Sequence, residues 1–118
     1  MTHYQTVVRV VDGGSGRPLA GLEVSLFDRD RFSADDLLGS GTTDASGEVP
    51  FEYHSGHFAD LEDRVSGMLP DLYCVVRLRG SEVYSTRTEA VDNTPRRLIE
   101  VSLPAEVVAR HGLSPAGA

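Results

Sequence analysis

Along most of this chain apolar and polar positions alternate with a period of two, the spacing that turns one face of a β-strand inward and leaves the other in water. Residues 6–11 are rich in β-branched side chains, place Val8 and Val10 on one face, and stop at the turn-forming Asp12-Gly13-Gly14-Ser15-Gly16. Residues 22–27 alternate with Leu22, Val24 and Leu26 on one side, after a segment in which Pro18 would break a central strand. Residues 37–43 predict a short strand whose glycines, Gly39 and Gly41, mark an edge or a bulge. A tight turn at Asp44-Ala45-Ser46-Gly47 then leads into residues 48–53, with Val49, Phe51 and Tyr53 on one face, so that these two strands are expected to form a hairpin.

The second half repeats the pattern. Residues 72–78 place Leu72, Cys74, Val76 and Leu78 inward, and after Arg79-Gly80-Ser81 residues 82–86 are expected to pair with them. Residues 97–103 supply a last strand, with Ile99, Val101 and Leu103 inward. Two stretches depart from period two. Residues 54–67 carry Phe58, Leu61 and Val65 at spacings of three and four, which suits a short helix or a structured loop, and residues 104–112 allow one or two helical turns between Pro104 and Gly112. Seven short strands at this spacing predict an all-β fold, a seven-stranded antiparallel β-sandwich filling residues 1–113 as a single domain, with residues 114–118 as a flexible tail.

Composition narrows the functional classes. The 118 residues allow one core, and 40% apolar with 25% charged residues is ordinary for a globular domain. A formal charge of −7 works against contact with phosphate backbones and anionic lipid, so neither nucleic acid nor a membrane surface is an expected partner. The start lacks a basic segment followed by an apolar one, and nowhere do about 18 apolar residues run together, which makes the cytoplasm the default expectation. Cys74 is the single cysteine, and its alternation with Leu72 and Val76 places it in the core, where a thiol is inert.

The run Val10-Val11-Asp12, then Gly16-Arg17-Pro18-Leu19-Ala20-Gly21-Leu22-Glu23-Val24, then Thr43-Asp44-Ala45-Ser46-Gly47, resembles the transthyretin-like or carboxypeptidase-regulatory-like sandwich superfamily. It is also similar to small sandwich modules of large bacterial surface and toxin-like proteins, in which a segment like Phe27-Asp28-Arg29-Asp30 with Leu37-Leu38-Gly39 precedes a Thr-Asp turn. The resemblance implies a noncatalytic binding or spacer module. One branch, 5-hydroxyisourate hydrolase, is catalytic and uses a histidine in a His-Val-Leu-Asp type segment and a Tyr-Arg-Gly-Ser ending. Here Arg9 stands where that histidine would be, and the chain ends Ser114-Pro115-Ala116-Gly117-Ala118, so the resemblance argues against that chemistry.

Two candidate sites follow from residue type. Asp28, Asp30, Asp35 and Asp36 form an acidic loop resembling the calcium loops of sandwich domains such as C2, since calcium takes roughly six to eight oxygen ligands, although Arg29 and Arg31 between the acids offset part of the charge. Calcium is therefore an alternative to a site with no cofactor. Tyr73, Arg77, Tyr84 and Arg87 fall on the outward phases of two adjacent strands and are residue types enriched at interfaces, pointing to a protein partner or to self-association. The remaining motifs have simpler readings. His54 and His57 bracket a glycine loop at a spacing unspecific for zinc. Gly13 to Gly16 lacks a following lysine and helix for a phosphate cradle, and Ser40 has no histidine close in sequence to activate it.

Overall fold

The computed structural model describes residues 3–29, 34–54, 71–92 and 96–113. Among these residues the chain is almost entirely β. Eight strands are present: β1 (His3–Asp12), β2 (Glu23–Arg29), β3 (Asp36–Thr42), β4 (Glu48–His54), β5 (Asp71–Leu78), β6 (Ser81–Ser85), β7 (Val91–Asp92) and β8 (Arg96–Leu103). One short helix, α1 (Ala105–Arg110), follows the last strand, and a single 3-10 turn covers Arg87–Glu89. The helix or loop expected over residues 54–67 and the expected tail at 114–118 lie outside the described residues, apart from the end of β4.

The strands form two sheets. One has three strands in the order β4-β1-β8, and the other has β3-β2-β5-β6, with the two-residue β7 pairing with β5 below the end of β6. Alternation puts Tyr4, Thr6, Val8 and Val10 of β1, Val49, Phe51 and Tyr53 of β4, and Val101 and Leu103 of β8 on the inner face of the first sheet. Val24 and Leu26 of β2 and Leu72, Cys74 and Val76 of β5 meet them from the second sheet. A fully buried leucine such as Leu26 is worth about 1.5–3 kcal/mol relative to exposure, so this interleaved layer is the main source of cohesion.

Three expectations need correcting. The sandwich is not wholly antiparallel, because β8 runs parallel to β1 over eight consecutive pairs from Gln5↔Arg96 to Asp12↔Leu103. Period-two alternation encodes which face is buried and is blind to strand direction. The strand count also differs, since β7 is too short to leave a periodic trace. Finally, β3 and β4 do not form a hairpin: β3 lies at the edge of one sheet and β4 at the edge of the other, so the turn between them is a corner that carries the chain across the sandwich.

That corner has a local chemical cause. The Asp44 carboxylate accepts from the backbone N–H of Ser46 (2.8 Å) and Glu48 (3.0 Å), and Gly47 N–H donates to the Asp44 carbonyl (2.8 Å). Gly47 sits at φ +73°, and a Cβ there would lie 2.6 Å from the Val10 carbonyl oxygen. On the other side of the turn, Thr43 holds Leu22 twice, accepting from its N–H on Oγ1 (3.0 Å) and donating its own N–H to the Leu22 carbonyl (2.8 Å). The two glycines of β3 then serve the packing between sheets. They occupy inward positions opposite Leu26 and Val24, where a Cβ would come within 2.9 Å of Phe51 at Gly39 and 2.5 Å of Val49 at Gly41. Of the edge or bulge expected at β3, both are present: β3 is the edge strand, and Leu38 is the extra residue between the Leu26↔Gly39 and Phe27↔Leu37 pairs.

Gly41→Ala should therefore destabilise the fold by about 1–3 kcal/mol through overpacking, and Val49→Ala in the same chain should recover part of the loss. Urea denaturation of the two single variants and the double variant measures the coupling, and strict additivity would show that the contact is not limiting.

Candidate functional site

The outer face of the five-stranded sheet carries the densest set of polar and aromatic contacts among the described residues. Alternation sends Phe27 from β2 and Tyr73 from β5 outward at paired positions, and their rings stack at 5.3 Å with an interplanar angle of 11°. Leu37 extends this row onto β3 and is 57% exposed. Tyr73, although outward, is only 5% exposed, because three groups cover it. Phe27 lies against its ring, the Arg87 guanidinium sits 5.8 Å from the ring centroid, and Asp35 accepts a hydrogen bond from its hydroxyl.

The arginines fasten the 3-10 turn to the sheet. Arg87 Nε donates to Asp35 Oδ2 at 2.8 Å and its Nη2 to Asp35 Oδ1 at 3.3 Å, a forked contact with one carboxylate. Arg29 Nη2 pairs with Asp71 at 2.8 Å while its Nη1 donates to the Arg87 carbonyl at 2.9 Å. The turn is also joined to β5 across the gap between β6 and β7. Thr86 N–H donates to the Cys74 carbonyl (2.9 Å), and Cys74 N–H donates to Thr86 Oγ1 (2.9 Å).

These contacts decide protonation. Burial first, and then the neighbouring Asp35 carboxylate, push the Tyr73 phenol up to about 12, so it stays a neutral donor. The same carboxylate holds the Arg87 guanidinium above its ordinary value. Burial alone pushes the Cys74 thiol up to about 12, and its side chain is fully buried, as a core residue requires. A second polar group lies between the sheets, where the hydroxyls of Thr6 and Tyr53 are 2.9 Å apart and Tyr4 stacks on Tyr53 at 5.5 Å. Burial raises the Tyr53 phenol, with Asp28 raising it further and Arg97 lowering it, so both charges reach this inner cluster.

The sequence-predicted site residues separate on this frame. Asp28 and Asp36 are paired across β2 and β3, with Asp28 buried on the inner side, whereas Asp35 is engaged on the outer face by Tyr73 and Arg87. Asp30 and His57 lie outside the described residues. Among the described residues no group of three or more His, Cys, Asp or Glu side chains is arranged to hold a metal ion. Of the four expected interface residues, Tyr73, Arg77 and Arg87 are on the outer side, Arg77 donating to Ser25 Oγ at 3.3 Å. Tyr84 is not: the bulge in the β5–β6 ladder aligns it with Val76, so it turns inward and packs on the core. Residue-type reasoning missed Phe27 and Leu37. The available signal was a large apolar side chain at an outward phase of an alternating strand.

The Gly13–Gly16 segment is a chain reversal. Gly14 N–H bonds the Asp12 carboxylate (2.8 Å), Gly16 N–H bonds the Asp12 carbonyl (2.7 Å), and Pro18 returns as a bridge to Val11. No helix among the described residues is long and apolar enough to cross a membrane.

The chain is similar to known proteins in two respects. Residues 5–61 match the family model of the C2 domain. In structure it is similar to a 9R-lipoxygenase from Cyanothece, with a TM-score of 0.51 and 19% identity, over 87% of this chain and 16% of the lipoxygenase. It is also similar to an intradiol ring-cleavage dioxygenase from Tetranychus urticae, with a TM-score of 0.52 and 11% identity, over 88% of this chain and 81% of that one. At these identities the likeness establishes the β-sandwich fold. The chain thus spans only a small part of the lipoxygenase. No curated protein matches it.

Alkaline titration should report the buried groups. The folded-state values of Cys74 and Tyr73 lie above their ordinary 9.0 and 10.0, so the fold favours the protonated forms. That stability is complete below about pH 9 and is lost as pH rises toward 12. The melting temperature should hold level up to about pH 9 and then fall. Cys74→Ala should remove the earliest part of the fall, and Tyr73→Phe part of the fall above pH 10; profiles unchanged by both would contradict this assignment.

Proposed function

We propose that this domain is a noncatalytic protein-interaction or structural β-sandwich module, docking a protein partner on the outer face of its five-stranded sheet. The observation that carries the reading is Leu37, a large apolar side chain left 57% exposed beside Phe27. The surrounding frame is held rigid by the Arg87–Asp35 and Arg29–Asp71 pairs. Such a frame supports binding, because side chains already ordered cost little further entropy on association. A partner suited to it offers an apolar group to Leu37 and Phe27 and acceptors to Arg77 and to the outer edge of Arg87. Within the sandwich class, the turn pattern from Gly16 to Val24 supports a transthyretin-like type.

A second reading, calcium-dependent binding through the loop bearing Asp28, Asp30, Asp35 and Asp36, has two supports. The C2 family match spans this loop, and strand register brings Asp28 and Asp36 opposite each other. The hydrolase reading has none, since Arg9 lies in register between Glu48 and Glu100 on the three-stranded sheet.

The first reading is tested by affinity capture with the whole chain and with Leu37→Asp, whose melting temperature should match the parent because residue 37 is exposed. A partner retained by the parent and lost by the variant supports docking on this face; equal retention by both rules the face out. A melt with calcium and with chelator separates the second reading. Binding to the folded state alone would raise the midpoint by an amount that grows with calcium, and Asp36→Asn should abolish that rise.

A further inference from the structure

A sandwich has exposed strand edges, and each is a template on which another strand can pair unless something blocks it. Among the described residues, three of the four edges are interrupted along the backbone. β4 has Pro50 in its middle, which removes one backbone donor, and β3 is interrupted by the Leu38 bulge and two glycines. The far side of β5 is divided between the five-residue β6, itself bulged, and the two-residue β7. The fourth edge is different. β8 runs eight residues with no proline, glycine or bulge, in unbroken register with β1. It is the outermost strand of its sheet among the described residues.

The side chains of β8 indicate what could pair there. Arg97 is at an inward phase of β8 and half-buried, with its Nε buried and its charge acting on the Tyr53 phenol. The outward face reads Arg96, Leu98, Glu100: a cation, an exposed leucine and an anion, with Leu98 61% exposed. This order is self-complementary under a two-fold axis. If a second β8 is laid antiparallel with Leu98 opposite Leu98, Arg96 of each strand falls opposite Glu100 of the other on the outer face, while on the inner side Arg97 falls opposite Ile99, which adds neither an opposite-charge nor an apolar pair. Opposite charges and apolar pairs at directly facing positions are the pairings that stabilise an antiparallel ladder.

We infer that β8 is a self-association edge, and that two copies of this chain join β8 to β8 in antiparallel register centred on Leu98, making one continuous six-stranded sheet. The row across the outer face supports the same centre. Pro50, Val7 and Leu98 are in register on β4, β1 and β8, so pairing at Leu98 would join two such rows into one apolar stripe. Because the two-fold relates identical strands, the contact closes after two copies and does not propagate. This surface is distinct from the Leu37 face, so either can exist without the other.

The test is the mass in solution of the whole chain, by light scattering during size-exclusion chromatography across a concentration series. The expected result is a concentration-dependent dimer of the 12.7 kDa chain. Arg96→Glu should weaken it about tenfold, since two facing pairs per dimer turn from attractive to repulsive. Arg96→Glu combined with Glu100→Arg should restore it to within about twofold, a rescue that depends on this register. Leu98→Cys should give a covalent dimer on oxidation, since directly opposed Cβ atoms about 4.5–5.5 Å apart are near disulfide range, while Ser102→Cys should not. A chain that stays monomeric at high concentration overturns the inference and leaves the docking face of Leu37 untouched. A dimer that Arg96→Glu does not weaken and that Leu98→Cys does not trap covalently also overturns it, by placing the contact elsewhere. Leu37→Asp should leave the dimer intact.

Discussion

The two sheets of this sandwich close on each other because β3 presents no side chain inward at residues 39 and 41. Phe51 and Val49 occupy the space that a Cβ at either glycine would need. Interiors pack at crystal-like density, so a contact this tight excludes even one added methyl without a shift of the neighbour. The same approach explains why the chain turns a corner after β3. With β4 packed face to face against β3, the link between them has to cross from sheet to sheet within the Thr43–Gly47 turn, and the Asp44 carboxylate and the positive φ of Gly47 make that reversal possible.

From this closure follows a division of the two sheets. The inner faces are apolar apart from the Tyr4, Thr6, Tyr53 and Asp28 group and the half-buried Arg97, and the polar atoms of Thr6 and Tyr53 satisfy each other there because water is excluded. The outer face of the larger sheet is where charge is organised. There two arginines tie the short 3-10 turn to β2, to β5 and to Asp35 just before β3. Tyr73 is thereby buried from the outside, by side chains and not by another layer of backbone. An outward-facing residue can thus be as inaccessible as a core residue, and this leaves Leu37 and Phe27 to present the apolar part of the surface. The smaller sheet carries few such ties on its outer face, and its character is set by its edges: Pro50 interrupts one and the unbroken β8 forms the other.

Alternation and turn chemistry determined the β class, the inward residues of β1, β2, β4, β5 and β8, the burial of Cys74, the turns at residues 12–16 and 44–47, and an edge or bulge at β3, since each rests on a local rule of period or backbone conformation. Tertiary structure decided the rest. The parallel alignment of β1 with β8, the corner in place of a hairpin and the inward turn of Tyr84 all depend on pairing between residues distant in sequence, and a one-residue bulge is enough to reverse a side chain's face. The acidic loop shows the same limit. Four aspartates close in sequence suggest one site, yet Asp35, just before β3, is bound outside by Tyr73 and Arg87, while Asp36, the first residue of β3, lies in register opposite the buried Asp28. Proximity along the chain sets which charges are available; the register of the strands decides which of them can meet.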